Sequence, residues 1–341
     1  MIYLNCDYLE GCHPSILKKL NETNLEQTMG YGTDPYCAKA ADLIRSAFGC
    51  PESAVHFLVG GTQANTTVIA AALRPYEGVL CAQTGHINVH ETGAIESTGH
   101  KCLALEGCQG RITAEQVREA VRLQNDDEHT VRPGMVYISM STEVGTVYTL
   151  RQLQELYAAC RELGLYLFID GARLGYALAA PGGDVTPQDI ARCCDAFTVG
   201  GTKVGALFGE AVVISHPELN RNFRYMIKQR GGMLAKGRLL GLQFIALMEN
   251  DLYFELGRKT VQQAMRIRDA LKEKGIPMFM ESPTNQQFAV FTNAQAEALS
   301  RGFTLETWER VDEDHVAQRI CTSWATPDEY VDQFIAAVKT L

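Results

Sequence analysis

The sequence lacks the features that would place the chain in a membrane, in a secretory pathway or on nucleic acid. No apolar run approaches the roughly 18 residues that a membrane-spanning helix needs. The amino-terminal residues have no basic region followed by a long apolar stretch, so no secretion signal is expected. The net charge of −9 argues against nucleic acid or an anionic membrane as the main partner.

The cysteines show no pattern of disulfide bonds or zinc ligation. There are 11 of them, an odd number, and they are scattered without a CxxC pair. We therefore predict a reducing, cytoplasmic setting in which most thiols are buried. His86 and His90 lie four residues apart beside Glu91, but the HExxH order is absent and no third ligand is apparent. We predict no metal site.

The chain also lacks GxGxxG and GxxxxGK[ST], so no fingerprint supports the alternative of a nucleotide-binding α/β protein. It contains instead seven short apolar runs that alternate with longer amphipathic segments. The runs are 54–59, 78–82, 101–105, 135–140, 165–170, 196–199 and 211–215. Buried strands joined by crossover helices predict an α/β fold with a mostly parallel seven-stranded sheet sandwiched by helices.

The pattern changes after residue 215. Long helical stretches at 217–230, 236–250 and 254–274 precede a short strand–helix tail, which predicts a smaller α+β domain at the carboxyl end. We predict a large domain over 1–245 and a small one over 246–341. The segment 1–20 is a candidate to pack elsewhere than on the large domain.

Ligands of parallel sheets bind at the carboxyl ends of the strands, and three of the predicted strands are closed or followed by chemically suggestive residues. The first end is GGTQAN at 60–65, a glycine turn that opens a helix. Free N–H groups of Gly61 and the hydroxyl of Thr62 suit a phosphate. The plainer alternative is an ordinary turn with Thr62 as the helix cap.

The second strand ends at Asp170. A carboxylate at the end of an apolar strand is costly to desolvate unless a cation offsets it, and a protonated pyridine nitrogen would do so. An ion pair with Arg173, or a helix cap, is the alternative. Lys203 lies just past the third strand, 196–199, and is flanked by glycines. An amine for Schiff-base chemistry needs such a partly desolvated place, whereas a solvated loop lysine is the commoner case.

Together the phosphate turn, the aspartate and the lysine form the constellation of pyridoxal-5′-phosphate (PLP) enzymes. Their order resembles fold-type I PLP enzymes, and within these the L-threonine aldolases of the β-eliminating lyase family. IDGARL at 169–174 is similar to that family's HLDGARL, QTGHINVHE at 83–91 to QAHIYNYE, and GGTQAN to SGTMAN. RICTSW at 319–324 resembles RxVTSW, and GYGTDP at 30–35 resembles the GxxxYGEDP region.

The resemblance implies specific roles for these positions. Lys203 is the Schiff-base lysine, Asp170 the partner of the ring nitrogen, and His86 the residue stacked on the ring. Arg173 would balance the phenolic oxygen of the cofactor. Arg319, with Asn5, would hold the carboxylate of a small amino-acid substrate.

Two positions depart from the family pattern. Glu143 stands where the ENTHN motif has its histidine, so the base for the substrate hydroxyl is Glu143, His86 or a bound water. Leu234 stands where GGGMRQAG has its phosphate-binding arginine, and Arg230 or Lys236 is the candidate replacement. The resemblance also implies a homodimer or homotetramer in which Tyr31, Arg230 or Lys236 reaches the neighbour's site.

The resemblance therefore implies a PLP-dependent aldolase that cleaves a β-hydroxy-α-amino acid, similar to L-threonine or allo-threonine, to glycine and an aldehyde. The alternatives are another PLP-dependent lyase, a racemase or an aminotransferase on the same scaffold. A PLP-binding protein without catalytic activity is a further alternative, which the substitutions at Glu143 and Leu234 permit.

Overall fold

A computed structural model describes all 341 residues of the chain. The strands are β1 Ile2–Tyr3, β2 Ala54–Leu58, β3 Glu77–Ala82, β4 Cys102–Leu105, β5 Arg132–Ser139, β6 Tyr166–Asp170, β7 Ala196–Gly200, β8 Glu210–Ile214, β9 Met278–Met280, β10 Gln286–Thr292, β11 Phe303–Thr304, β12 Glu306–Arg310 and β13 His315–Cys321. The helices are α1 Pro14–Glu22, α2 Pro35–Phe48, α3 Gly61–Ala72, α4 His86–Val89, α5 Ala114–Gln124, α6 Leu150–Leu163, α7 Leu174–Leu178, α8 Pro187–Arg192, α9 Pro217–Asn220, α10 Phe223–Gln229, α11 Arg238–Met248, α12 Leu252–Glu273, α13 Asn293–Ser300 and α14 Asp328–Thr340.

The seven predicted apolar runs form one sheet with the strand order β2-β8-β7-β6-β5-β3-β4. All neighbouring pairs are parallel except those of β8, which runs antiparallel to both β2 and β7. Strand β2 consequently runs parallel to β7, and the carboxyl ends of β2, β3, β5, β6 and β7 lie along the same edge. The predicted fold class is confirmed.

Alternate residues of the central strands face two apolar cores, one on each side of the sheet. The larger core packs Val136, Ile138 and Phe197 against α2, α6, α11 and α12, and the smaller one packs Tyr137 and Phe168 against α3 and α10. Burial on both faces explains why the sequence shows continuous apolar runs rather than a polar alternation.

Local capping explains where two of the crossover helices begin. Thr113 and Thr149 each accept a hydrogen bond from the backbone three residues on, and the glutamine there bonds back to the cap. The single helix predicted over 217–230 is wrong. It is divided into α9 and α10, because Asn222 adopts a left-handed backbone with φ of 63° that interrupts the helix.

The carboxyl-terminal part contains a separate antiparallel sheet with the order β12-β13-β10-β9. The first strand of the chain joins this part, since β1 pairs in parallel with β11. The predicted boundary at residue 245 falls inside α11, and the division of the chain into two domains there stays a prediction. None of the helices combines the length and apolar character needed to cross a membrane.

Candidate active site

The shared carboxyl edge of the large sheet forms a polar cavity of about 170 Å³. Its lining comes from the ends of β2, β3, β5, β6 and β7, and includes the predicted lysine, aspartate and glycine turn. The lining residues are Gly61, Thr62, Asn65, His86, Ser139, Ser141, Glu143, Asp170, Ala172, Arg173 and Lys203. Residues far apart in sequence are thus brought together by the parallel arrangement of the strands.

The glycine turn after β2 presents the amino end of α3 to this cavity. Gly60 is the helix cap, so no side chain bonds the first N–H groups, and the alternative that Thr62 caps the helix is not observed. A β-carbon at Gly60 or Gly61 would meet nothing within 4 Å, which shows open space above the turn. An uncapped helix end facing open space fits a phosphate group.

Asp170 is buried beneath the cavity and accepts three hydrogen bonds. Its Oδ2 accepts from the Tyr137 hydroxyl at 2.7 Å and from Asn65 Nδ2 at 3.0 Å, and its Oδ1 accepts from the Ala172 backbone at 2.9 Å. Burial acts to raise its pKa, but the bond from Tyr137, the charge of His86 and the other bonds bring the pKa below its ordinary value. Asp170 is therefore held as an anion, as a partner of a protonated ring nitrogen must be, and it neither pairs with Arg173 nor caps a helix.

Lys203 lies beside Asp170 because the loops after β6 and β7 meet backbone to backbone. A β-carbon on Gly171 would lie 1.9 Å from the Thr198 carbonyl oxygen, so only glycine permits this approach. The Tyr176 hydroxyl donates to the Lys203 carbonyl oxygen. The Nζ of Lys203 is 5.9 Å from the centre of the Tyr8 ring.

His86 is oriented by a buried carboxylate. Its Nδ1 lies 2.8 Å from Glu91 Oε1, and the same oxygen accepts from Asn65 Nδ2 at 2.8 Å. Burial acts to lower the pKa of His86, but the bond to Glu91 and the charges of Asp170 and Glu91 raise it above the ordinary value. Asn65 thus joins His86 and Glu91 to Asp170.

Glu143 lines the same cavity from the loop after β5. Its Oε1 accepts from Ser139 Oγ at 2.6 Å and from the His86 backbone N–H at 2.9 Å. Burial raises its pKa despite these bonds, so this carboxyl is a weaker acid than an ordinary glutamate. A buried carboxyl tuned in this direction is suited to exchange a proton near neutral pH.

Arg173 lines the cavity, and the buried carboxylate of Asp7 binds its guanidinium group. Asp7 accepts from Arg173 Nε at 2.8 Å and from Nη2 at 2.9 Å, and Asn285 Nδ2 donates to the same carboxylate at 3.0 Å. Burial acts to raise the pKa of Asp7, but the charge of Arg173 lowers it. The amino-terminal segment therefore fixes an arginine of the large sheet.

Arg319 lies on β13 of the small sheet, outside the cavity lining. Its Nη2 donates to the Asn5 carbonyl oxygen at 2.8 Å and its Nη1 to Gln286 at 3.1 Å, while its Nε has no protein partner. The side-chain oxygen of Asn5 is also buried without a partner. Burial lowers the pKa of His90, and the charges of His86, Arg319 and Arg173 lower it further.

Besides Asn5 and Arg319, three further predicted residues do not line the cavity of their own chain. Tyr31 is exposed and lines a surface hollow with Lys228, whose ammonium lies 5.0 Å from its ring. Lys236 is exposed. Arg230 contacts the helix after the glycine turn through its backbone, since its carbonyl oxygen accepts a hydrogen bond from Gln63 Nε2 at 3.1 Å. No arginine of the same chain takes the place of the one missing at position 234.

Several functional candidates were not predicted from the sequence. Tyr137, Ser139, Asn65 and Glu91 form the hydrogen bonds described above. Glu210 begins β8 opposite Gly200 and Leu58, is buried, and leaves Oε2 without a hydrogen-bond partner. A polar residue within an otherwise apolar strand is the sequence signal that marks Tyr137, Ser139 and Glu210.

Comparison with known proteins assigns the chain to a family. The model of the β-eliminating lyase family matches residues 10–294. The chain belongs to the β-eliminating lyase family. A low-specificity L-threonine aldolase of Pseudomonas aeruginosa is 30% identical over 337 residues, with 98% of this chain and 96% of the relative covered. The threonine aldolase structure of Leishmania major has a TM-score of 0.98 and 43% identity, covering 100% of this chain and 99% of that one.

Family membership confirms the predicted enzyme class, a PLP-dependent lyase, and the predicted cofactor. An aspartate aminotransferase of Thermus thermophilus matches with a TM-score of 0.73 at 14% identity, which shows a shared fold alone. The cavity of this lyase fits the cofactor on its own chemistry. It offers an uncapped helix end, a buried carboxylate and an amine together.

Proposed function

We propose that this β-eliminating lyase family member cleaves β-hydroxy-α-amino acids such as L-threonine and allo-threonine to glycine and an aldehyde. The proposal is supported by the relatives that are named threonine aldolases and match nearly the whole chain. The single observation that carries it is the convergence of Lys203, Asp170, Glu143 and the amino end of α3 on one cavity.

The residues of the cavity would hold the cofactor by its charged groups. The amino end of α3 and Thr62 would bind the phosphate, Asp170 the protonated ring nitrogen, and Arg173 the phenolic oxygen, while His86 packs against the ring. Lys203 would provide the covalent attachment. When bound, PLP supplies an electron sink that stabilises negative charge at the α-carbon of an attached amino acid.

The substrate carboxylate would be held by Arg319 and Asn5. Arg319 has one unpartnered buried N–H, and two of its nitrogens are fixed by Asn5 and Gln286, so the guanidinium is oriented before the substrate arrives. A fixed carboxylate in turn fixes which bond at the α-carbon can break. For an aldolase this is the bond between Cα and Cβ.

Glu143 is the base that we assign to the substrate hydroxyl. Breaking the Cα–Cβ bond requires loss of the hydroxyl proton, and the raised pKa of the buried Glu143 carboxyl matches this task. His86 is less suited, because its Nδ1 is already engaged with Glu91 Oε1 at 2.8 Å. Glu143 would return the proton at the end of the reaction.

We further propose a homodimer or homotetramer that completes the site, in a cytoplasmic setting. Met29, Tyr31, Tyr225 and Met233 line one hollow on the surface, and Met29 and Tyr225 are 73% and 77% exposed. Such a patch suits a second copy of the chain, from which Tyr31, Arg230 or Lys236 would reach the cavity. The eleven thiols are free, and ten of them are buried, as suits a reducing compartment.

The proposed reaction is tested by incubating the PLP-loaded protein with L-threonine, L-allo-threonine and L-serine, and by measuring acetaldehyde and glycine. We expect equal amounts of the two products from threonine, and a loss of about 10²-fold or more in kcat for Glu143→Gln. Racemised threonine or an α-keto acid, formed without acetaldehyde, would rule out the aldolase. Racemised threonine would indicate a racemase on the same scaffold, and an α-keto acid would indicate an aminotransferase.

A further inference from the structure

Two hydroxyl groups connect the two buried carboxyls of the cavity. The Ser139 hydroxyl is 2.6 Å from Glu143 Oε1 and 3.3 Å from the Tyr137 hydroxyl, which donates to Asp170 at 2.7 Å. Ser139 and Asp170 lie opposite each other in β5 and β6, and Tyr137 lies two residues before Ser139 on the same face. The parallel pairing of β5 and β6 therefore builds this chain of bonds.

The chain of hydroxyls has two arrangements, because Ser139 has one proton to donate. When Glu143 is ionised, the Ser139 hydroxyl donates its hydrogen bond to Glu143, and the Tyr137 oxygen accepts no hydrogen bond from Ser139. When Glu143 is protonated, the carboxyl can donate to Ser139, and Ser139 can then donate to Tyr137. Each donor in a row polarises the next, so Tyr137 becomes a stronger donor to Asp170 in the second arrangement.

We propose that Ser139 and Tyr137 are positioning residues that couple the proton on Glu143 to the strength of the hydrogen bond that Asp170 receives. The inference rests on the proposed roles of Glu143 and Asp170. A proton taken from the substrate by Glu143 forms an O–H bond on its carboxyl and turns the Ser139 proton toward Tyr137. Asp170 then becomes a weaker acceptor for the proton on the ring nitrogen. The protonation of Glu143 and the strength of the hydrogen bond between Asp170 and the ring nitrogen therefore change together.

Other titratable groups surround this chain of bonds and provide a competing source of pH dependence. His86 and Glu91 are linked to Asp170 through Asn65, whose Nδ2 donates to the same Asp170 oxygen as the Tyr137 hydroxyl. The remaining charged or titratable neighbours are Arg173, Lys203, Glu210 and Tyr148. Ser139 takes no part in the link through Asn65. Removing the Ser139 hydroxyl therefore interrupts the hydrogen bonds between Glu143 and Tyr137 and leaves the link through Asn65 in place.

The test is a pH titration of the visible absorbance of the PLP-loaded protein without substrate, so the readout is independent of turnover. We expect the native spectrum to change over the pH range in which Glu143 titrates, and this transition to vanish in Glu143→Gln. Ser139→Ala and Tyr137→Phe each interrupt the chain while keeping the side-chain volume nearly constant. Both should change the midpoint or reduce the amplitude of the transition, leaving only the direct charge interaction between Glu143 and Asp170.

Ser141→Ala is the matched control. Its hydroxyl lines the same cavity but has no hydrogen-bond partner, so the control should keep the transition. The inference is overturned if Ser139→Ala shows the native transition with unchanged midpoint and amplitude, or if the native spectrum does not respond to Glu143. A native protein that binds no PLP would overturn the proposed site as a whole, whereas bound PLP with an unaffected Ser139→Ala transition overturns the coupling alone.

Discussion

Asp7 binds Arg173 through both carboxylate oxygens, at 2.8 and 2.9 Å, and joins the start of the chain to the cavity rim. The Asp7 side chain is fully buried and that of Arg173 is 12% exposed. Breaking such a pair leaves an uncompensated buried charge, which costs more than the pair itself contributes. The amino-terminal segment is thus part of the site.

Asp7→Asn is therefore expected to lower the free energy of unfolding by about 3–5 kcal/mol at neutral pH. Because the pKa of Asp7 is lowered in the folded state, its contribution is present above the ordinary aspartate range and lost as the pH falls. Urea denaturation at neutral and acidic pH measures both effects. Glu162→Gln, which breaks the exposed pair with Arg118, should change little.

Glu91→Gln should lower the pKa of His86. Burial acts to lower this pKa, and the bond to the Glu91 carboxylate and the charge of Asp170 raise it, so without the carboxylate the effect of burial is opposed mainly by Asp170 and the pKa falls. NMR titration of the histidine rings measures the shift, with His86→Asn used to assign the resonance. A midpoint for His86 that does not move would show that Glu91 does not set its charge.

Glu210→Gln should remove a loss of stability that develops between about pH 4.5 and about pH 8. Burial raises the pKa of Glu210 to about 8, against 4.5 for an ordinary glutamate, while the charge of Lys203 acts in the other direction. Between these values the unfolded chain has released a proton that the folded chain keeps, so stability falls as the pH rises.

The free energy of unfolding of Glu210→Gln, relative to that of the native protein, should rise by on the order of a few kcal/mol between about pH 5 and about pH 9. Urea denaturation at the two pH values measures it. The exposed Glu309→Gln serves as the control. Equal pH dependence of Glu210→Gln and the native protein would contradict a neutral, buried Glu210.

The sequence predicted the parts of the site that depend on strand ends. Apolar runs that stop at Gly60, Asp170 and Lys203 indicated a parallel sheet, and such a sheet brings its carboxyl ends together. The antiparallel direction of β8 was not predictable, because periodicity carries no information on strand direction. It places Glu210, which begins β8, at the same edge as those ends.

The remaining site residues depend on contacts that only the tertiary structure defines. Tyr137 and Ser139 face Asp170 through the register of β5 with β6, which the sequence does not encode in any local pattern. The Asp7–Arg173 pair spans 166 positions of the chain. Leu234 was recognised as a departure, but neither Arg230 nor Lys236 of the same chain lines the cavity.

The central claim is that Lys203 carries the cofactor, and borohydride reduction of the PLP-loaded protein followed by peptide mapping tests it most directly. We predict that the cofactor is found on the peptide that contains Lys203, and that Lys203→Ala, shown to be folded by circular dichroism, carries none. Cofactor attached to another lysine such as Lys236, or an equally labelled Lys203→Ala protein, would contradict the account.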